Sequence, residues 1–413
     1  VNLRRYLPAL LLLVGPLSAS RHTPPAAGPF REDAAFFWQT VHDDYAYFDQ
    51  KQTDWDRVRA RYLPQADTVR SRRALVRLLE QMLQELYDHH AALGTNRPDS
   101  PRLVPSGADV YAEWEGGRAV VRELRPGFGA ERAGLRPGVE ILSVGGVPVA
   151  QARQPYQPQC LRAPDAAADN YALNTLLAGR HDQERRWRIR SGGAETDVQP
   201  DQPRNLLENP PPRRRLDSRR LGRVGYIRIN NCLFDHGLIP AFDSTLTALA
   251  DTKGLVLDLR DTPSGGNTTV ARALLGRFIT QEQGYQRHEL VNEQRQYGIR
   301  RFWLEMVAPR PAAYRRPVVV LAGRWTGSMG EGITTAFDGM KRATVVGSPL
   351  ARLRGGIYSY RLPASGISFS IPVEKLYQLD GTPREQFEPK VTVKPAADPA
   401  QDPALDKALQ LLR

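Results

Sequence analysis

The stretch PVVVLAGRWTGSMGEGITTAFDGM, residues 317–340, decides how this chain folds. Val318 to Ala322 form an unbroken apolar run and read as a strand. Glycines at 323, 327, 330 and 332 interrupt it, and apolar residues then return at helical spacing. The order is therefore strand, glycine-rich turn, helix. One small hydroxyl, Ser328, stands in the turn, and Glu331 follows three residues later. That spacing fits a helix capping box, and it equally fits a nucleophile presented at a strand-to-helix turn. The local sequence leaves both readings open.

The same alternation extends on either side. LGRVGYIRINN and GLVLDLRD read as strands, IPAFDSTLTALAD and NTTVARALLGRFI as helices, and ATVVGS as a further strand. Strands separated by helices of this length predict a parallel α/β sheet. The remainder is β-rich (IYSYRLPASGISFSIPVEKL) and ends in a short helix, PALDKALQLLR. In a doubly wound sheet, chemistry gathers at the carboxyl ends of the strands. Ser328 lies beyond one such end, and DTPSGGNTT, residues 261–269, lies beyond another. Glycine exposes backbone amides, and two amides aimed at one point can hold the oxyanion formed when a serine attacks a carbonyl. Gly265, Gly266 and the amide of Met329 are the candidates. A base is needed as well, and His90, in QELYDHHAALG, stands where a predicted helix ends and the chain turns back.

The chain has 413 residues, enough for two or three compact units, with 41% hydrophobic and 25% charged residues. This composition excludes a disordered chain. Lys and Arg number 57 against 45 Asp and Glu, a net charge of +12. The excess is spread along the sequence, and its one dense cluster, PPPRRRLDSRRLGR, lacks interleaved aromatics, so no nucleic-acid partner is expected. Only Cys160 and Cys232 are present, too few for a disulfide framework, and a bridge between them stays open. No Cys/His spacing resembles a metal site, and neither metal nor organic cofactor is expected.

Residues 1–20 pair Arg4 and Arg5 with an apolar run and then small residues, the pattern of a secretory signal peptide. Export and a periplasmic or extracellular location are therefore expected, without a membrane-spanning segment once the signal is removed. A Pro/Ala linker, 21–29, leads into a helical unit, 30–100. Next, AERAGLRPGVEILSVGGVPV resembles a PDZ domain over about 20 consecutive positions, and the unit is assigned residues 101–204, with an insertion. PDZ domains bind C-terminal peptide segments by strand addition. A basic, Pro-rich linker at 205–223 precedes the catalytic domain at 224–413.

Four pieces together resemble the C-terminal-processing (tail-specific) serine peptidases, in the branch typified by the tricorn core and interphotoreceptor retinoid-binding protein modules. They are Asp88-His89-His90 closing a helical segment, the PDZ-like unit, LDLRDTPSGGN (257–267), and TGSMGE (326–331). The resemblance implies a ClpP/crotonase-like catalytic domain with an inserted PDZ domain, acting on unfolded or C-terminal polypeptide segments. It implies Ser328 as nucleophile, His90 as base, and amides of Met329 and of Gly265 or Gly266 as the oxyanion hole. The tail-specific branch takes its base from a lysine about 25 residues after the serine, where this chain reads SPLARLRGG. Arg352 and Arg354 stay protonated and cannot accept the serine's proton, which leaves the histidine-based arrangement. In that arrangement a glutamate orients the base, and GTPREQFEPKV makes Glu385 the choice over Glu388. The pattern has a serine before the histidine where this chain has His89, so His89 is a second candidate base. The same departure keeps an alternative: a binding protein for peptides or apolar ligands with a damaged relay. The oligomeric state is left open.

Overall fold

The computed structural model describes residues 30–396 and 398–413; the signal-peptide and first-linker expectations lie outside the described residues. Val318–Ala322 sits inside a six-stranded sheet. Its parallel strands run in the order Val391–Thr392, Thr344–Gly347, Val318–Ala322, Gly254–Asp258, Val224–Ile229, and Leu216–Leu221 closes the edge antiparallel to the last. Alternate residues of each strand feed two different cores. Leu255, Leu257, Val318 and Val320 pack under helices Leu238–Ala248, Thr268–Leu275 and Met329–Gly339. Val256, Val319 and Leu321 pack against Ala404 and Ala408 of the C-terminal helix Pro403–Leu411. This two-sided burial is why the strands read as continuous apolar runs.

Two expectations need correction. The spatial order of the strands follows the chain order, so the sheet has no strand-order reversal of the doubly wound kind. The basic run at 205–223 is not all linker, because Leu216–Leu221 pairs along its whole length with Val224–Ile229. Its outward arginines hid an edge strand, where charge is the usual defence against further pairing.

A second sheet was not anticipated in residues 280–316. Gln283–Leu290 and Arg301–Val307 join Gly356–Arg361, Ser368–Tyr377 and the short Ala92–Leu93 in an antiparallel arrangement. The strand at 283–290 buries Gln286, His288 and Glu289, so its apolar pattern is broken where a core strand would show it.

The N-terminal segment holds helices Arg31–Asp44, Trp55–Ala66 and Arg72–Gln84, the last two with side-chain caps from Asp54 and Ser71. Phe37, Leu75 and Leu79 share one core with Phe369, Ile371 and Val373. The helical unit is thus built onto the second sheet. After helix Arg72–Gln84 the chain turns and adds Ala92–Leu93 against Phe369 and Ser370, and His90 is carried in that turn.

Residues 110–198 form a third sheet around a separate core, with strand order Val110–Glu115, Arg118–Leu124, Glu140–Val144, Trp187–Ser191, Ala194–Val198. Helix Ala166–Ala178 runs beside the edge strand Val110–Glu115. Among the described residues no helix is long and apolar enough to cross a membrane.

Candidate active site

Register brings the two glycine-rich loops together. Asp258 pairs with Leu321, so neighbouring parallel strands end at one level and their loops leave side by side. Thr262 N–H donates to the Trp325 carbonyl at 3.0 Å, Gly327 N–H donates to the Thr262 carbonyl at 3.2 Å, and Thr326 Oγ1 donates to the Leu259 carbonyl at 2.9 Å. Arg260 braces the strand end from behind, pairing with Asp258 at 2.7 Å and with Asp402 at 2.8 Å.

Ser328 ends the second loop with φ 51° and ψ −112°, a conformation that L-residues avoid. Such a strained turn lifts a side chain out of the strand-to-helix connection. Glu331 holds it there. The Ser328 N–H donates to Glu331 Oε2 at 2.8 Å, and the Arg352 N–H donates to Oε1 at 2.8 Å. Glu331 is fully buried, and burial pushes its carboxyl up to about 7 against the pull of Arg384, 3.8 Å away. The glutamate half of the capping box is therefore present, and the serine hydroxyl faces a histidine.

That histidine is His90, whose Nε2 lies 3.1 Å from Ser328 Oγ. Its Nδ1 is 2.5 Å from the carbonyl oxygen of Arg354. A carbonyl only accepts, so Nδ1 carries the proton and Nε2 presents a lone pair to the serine hydroxyl. Burial lowers the imidazole to about 4, and the Arg354 carbonyl only partly offsets this. The ring is thus neutral near pH 7. Asp88 fixes the turn by accepting from the His90 backbone N–H at 3.0 Å and from the Tyr45 hydroxyl at 2.7 Å. Burial works against its ionisation, but Lys51 and Arg354 together hold it below the usual carboxylate range.

The other expected residues divide. His89 does not reach the serine: its ring stacks on Tyr171 with centroids 4.5 Å apart, turned toward the third sheet. Adjacent residues of a tight turn point apart, and only one faces Ser328. Glu385 is not the hydrogen-bond partner of His90, because the Arg354 carbonyl occupies Nδ1. Among the described residues neither carboxylate oxygen of Glu385 has a hydrogen-bond partner, and its charge acts on Tyr47 and Arg354.

Of the glycine pair, Gly265 adopts φ +68°, and a Cβ there would sit 2.5 Å from Ser328 Cβ. Its amide is spent on the Thr262 carbonyl at 3.2 Å. Among the described residues the amides of Gly266 and Met329 have no protein acceptor. Met329 also opens the helix Met329–Gly339, whose N-terminal dipole favours negative charge. Gly265 thus lets the backbone approach, and Gly266 and Met329 keep donors to offer.

No residue pattern marks the Arg354 carbonyl, since a backbone acceptor is the same in every residue. Nor did it single out Asn170 and Asn174. Asn174 Oδ1 accepts from the Ala112 N–H at 3.1 Å, its Nδ2 donates to the Ala112 carbonyl at 2.9 Å, and Asn170 Oδ1 accepts from the Trp114 N–H at 2.8 Å. The open edge of Val110–Glu115 is capped by its own helix. Where that groove meets the catalytic loops, a cavity of about 220 Å³ is lined by Val110, Tyr171, His89, Arg324, Trp325 and Leu353. Both cysteines are free thiols. Among the described residues no three His, Cys, Asp or Glu side chains gather as a metal site would.

A serine held in a strained turn, facing a neutral imidazole and flanked by uncommitted amides, belongs to the serine hydrolases. Comparison with known proteins narrows the class. Residues 223–393 match the model of peptidase family S41, and residues 30–84 match the tricorn protease C1 domain. A carboxyl-terminal-processing protease of Synechocystis sp. is 26% identical over 360 residues, spanning 82% of this chain and 75% of that protein. Two solved structures share the fold. The photosystem II D1 C-terminal processing protease has a TM-score of 0.57 at 19% identity, covering 92% of this chain and 97% of that one. Mature CPAF has a TM-score of 0.58 at 15% identity, covering 89% and 93%. Residues 223–393 thus match a peptidase family S41 domain, and the chain is a serine peptidase.

Proposed function

We propose that this peptidase cuts polypeptides through an acyl-enzyme formed on Ser328, with His90 as general base. The carrying observation is the 3.1 Å approach of His90 Nε2 to Ser328 Oγ by a ring whose other nitrogen is tied to a carbonyl. His90 takes the hydroxyl proton as Oγ attacks the scissile carbonyl, then gives it to the leaving amine. The oxyanion rests on the amides of Met329 and Gly266. Water, deprotonated by His90, attacks the acyl carbonyl, and the proton returns to Ser328 as the product carboxylate leaves. Glu385 enters this scheme only through the field it exerts on Arg354, in place of the Ser-His-Glu relay expected from the resemblance.

The catalytic domain is proposed to be ClpP/crotonase-like, with residues 101–204 as an inserted PDZ domain and 30–100 as an N-terminal segment that carries the base. The substrates are proposed to be unfolded or C-terminal segments of polypeptides, and the signal-like N-terminal sequence supports action after export. The match to a carboxyl-terminal-processing protease supports the substrate class. The binding-protein alternative required a damaged relay, and the Ser328–His90 contact argues against it.

The test is cleavage of an unfolded protein and of the same sequence with its last ten or so residues removed, with products mapped by mass spectrometry. Faster cutting of the intact sequence supports C-terminal selection. Equal rates for both would contradict it, and no cutting of either would contradict the proposal as a whole.

A further inference from the structure

The second sheet ends in a strand with nothing beside it. Arg301–Val307 pairs with Gln283–Leu290 on one side and is the terminal strand on the other. Among the described residues its backbone makes no hydrogen bond outside that ladder. One face of this edge carries Phe302, Leu304 and Met306, exposed by 60%, 45% and 40%. Tyr297 and Ile299, exposed by 65% and 62%, extend the apolar surface just before the strand. Natural edge strands are usually short, charged or covered, and apolar patches on a lone surface mark contact sites.

The order of residues in the strand specifies a partner. In RFWLEMV, antiparallel pairing of two copies about Trp303 sets Arg301 opposite Glu305 twice, Phe302 opposite Leu304 twice, and Trp303 opposite its own copy. Arg301, Trp303 and Glu305 share one face by strand alternation, and Phe302, Leu304 and Met306 share the other. Both charges would find opposite charge, and both apolar stripes would join. Slipping the register by two residues sets Trp303 opposite Glu305 or Arg301 and loses the charge match.

We propose that this strand is the interface of a two-fold dimer of the chain, formed by edge-to-edge pairing of Arg301–Val307 with a second copy. A two-fold contact is self-complementary by construction, and this sequence meets that condition at each of positions 301–305. Within one copy Arg301 pairs with the exposed Glu293 at 2.6 Å, and Glu305 pairs with Arg272. Arg301 would exchange Glu293 for the second copy's glutamate, and Glu305 would share its charge between two arginines. None of Arg301 to Val307 takes part in the Ser328–His90 contact, so two copies would each keep that pair.

The test is molar mass by light scattering across a concentration series, with Ser328 labelling by a fluorophosphonate as a check on folding. The wild-type chain should pass from monomer to dimer. Leu304→Lys should abolish the dimer while leaving labelling intact. Arg301→Glu and Glu305→Arg should each weaken dimerisation on the order of tenfold, and the double exchange should restore it. A wild-type chain that stays monomeric at tens of micromolar overturns the proposal. So does a dimer indifferent to Leu304→Lys, or two single exchanges that the double exchange fails to rescue.

Discussion

At the scale of single residues, the proposal rests on His90 as base and on the carbonyl that holds its ring. His90→Ala removes the acceptor for the serine proton and should lower kcat/KM by about 10²- to 10⁴-fold. Glu385→Gln should cost less than about tenfold, since its carboxylate makes no bond to the ring. Steady-state kinetics on one peptide substrate separates the two. A Glu385 loss as large as that of His90 would return the glutamate to the relay.

The pH dependence follows from the same residue. As the proposed base His90 must be neutral, and burial lowers it to about 4, so activity should persist as pH falls and be lost on passing through about 4. A kcat/KM profile with its acid limb near 6.5 would contradict this. Stability has the same sign: His89 and His90 both sit near 4 when folded and near 6.5 when unfolded. Between those values the unfolded chain binds more protons, so stability contributed by the neutral rings is present above 6.5 and is lost as pH falls toward 4.

At the scale of elements, two loops and one groove deserve tests. Gly265→Ala places a Cβ 2.5 Å from Ser328 Cβ at φ +68°, so backbone and serine must both shift. A displacement of about 1 Å at the reacting atom costs on the order of 100-fold in rate, which is the loss expected in kcat. Retention of full activity would mean the glycine loop is not part of the site.

In the third sheet, Asn170 and Asn174 occupy the edge at which the proposed PDZ domain would take a peptide. Isothermal titration with a C-terminal peptide should give weak binding to the wild type. Asn170→Ala with Asn174→Ala should bind on the order of tenfold tighter, because strand addition no longer displaces two side chains. Unchanged affinity would place peptide capture elsewhere.

Elements were unequally legible in the sequence. The strands at 254–258 and 318–322 were plain because both faces are buried by apolar neighbours. The strand at 283–290 was hidden because it buries Gln286, His288 and Glu289. The strand at 216–221 was hidden because its outward side chains are arginines in a sheet edge.

At the scale of the whole molecule, the site is assembled from four parts of the chain that are distant in sequence. The turn after helix Arg72–Gln84 brings the proposed base, residues 262–267 and 323–329 bring the proposed donors and nucleophile, and Arg354 brings the carbonyl that His90 Nδ1 meets. Ser328 and His90 were named from local pattern together with the family resemblance, but their contact spans 238 positions and depends on the second sheet. The Arg354 carbonyl could not be named, since its role belongs to the backbone. The third sheet is tied in by Arg125, which pairs with Asp261 at 2.7 Å just ahead of the glycine loop. Both partners are buried, so Arg125→Ala should lower stability by about 3 kcal/mol, with Arg213 and Arg228 still compensating Asp261. Denaturant unfolding measures this, and a change below about 0.5 kcal/mol would mean the ion pair does not hold the two parts together.

The central claim is that Ser328 attacks and His90 activates it. Reaction of the purified chain with a fluorophosphonate, followed by peptide mapping, tests both at once. The adduct should map to Ser328, vanish in Ser328→Ala, fall steeply in His90→Ala and survive in His89→Ala. An adduct on another serine, or full labelling of His90→Ala beside none of His89→Ala, would contradict the account.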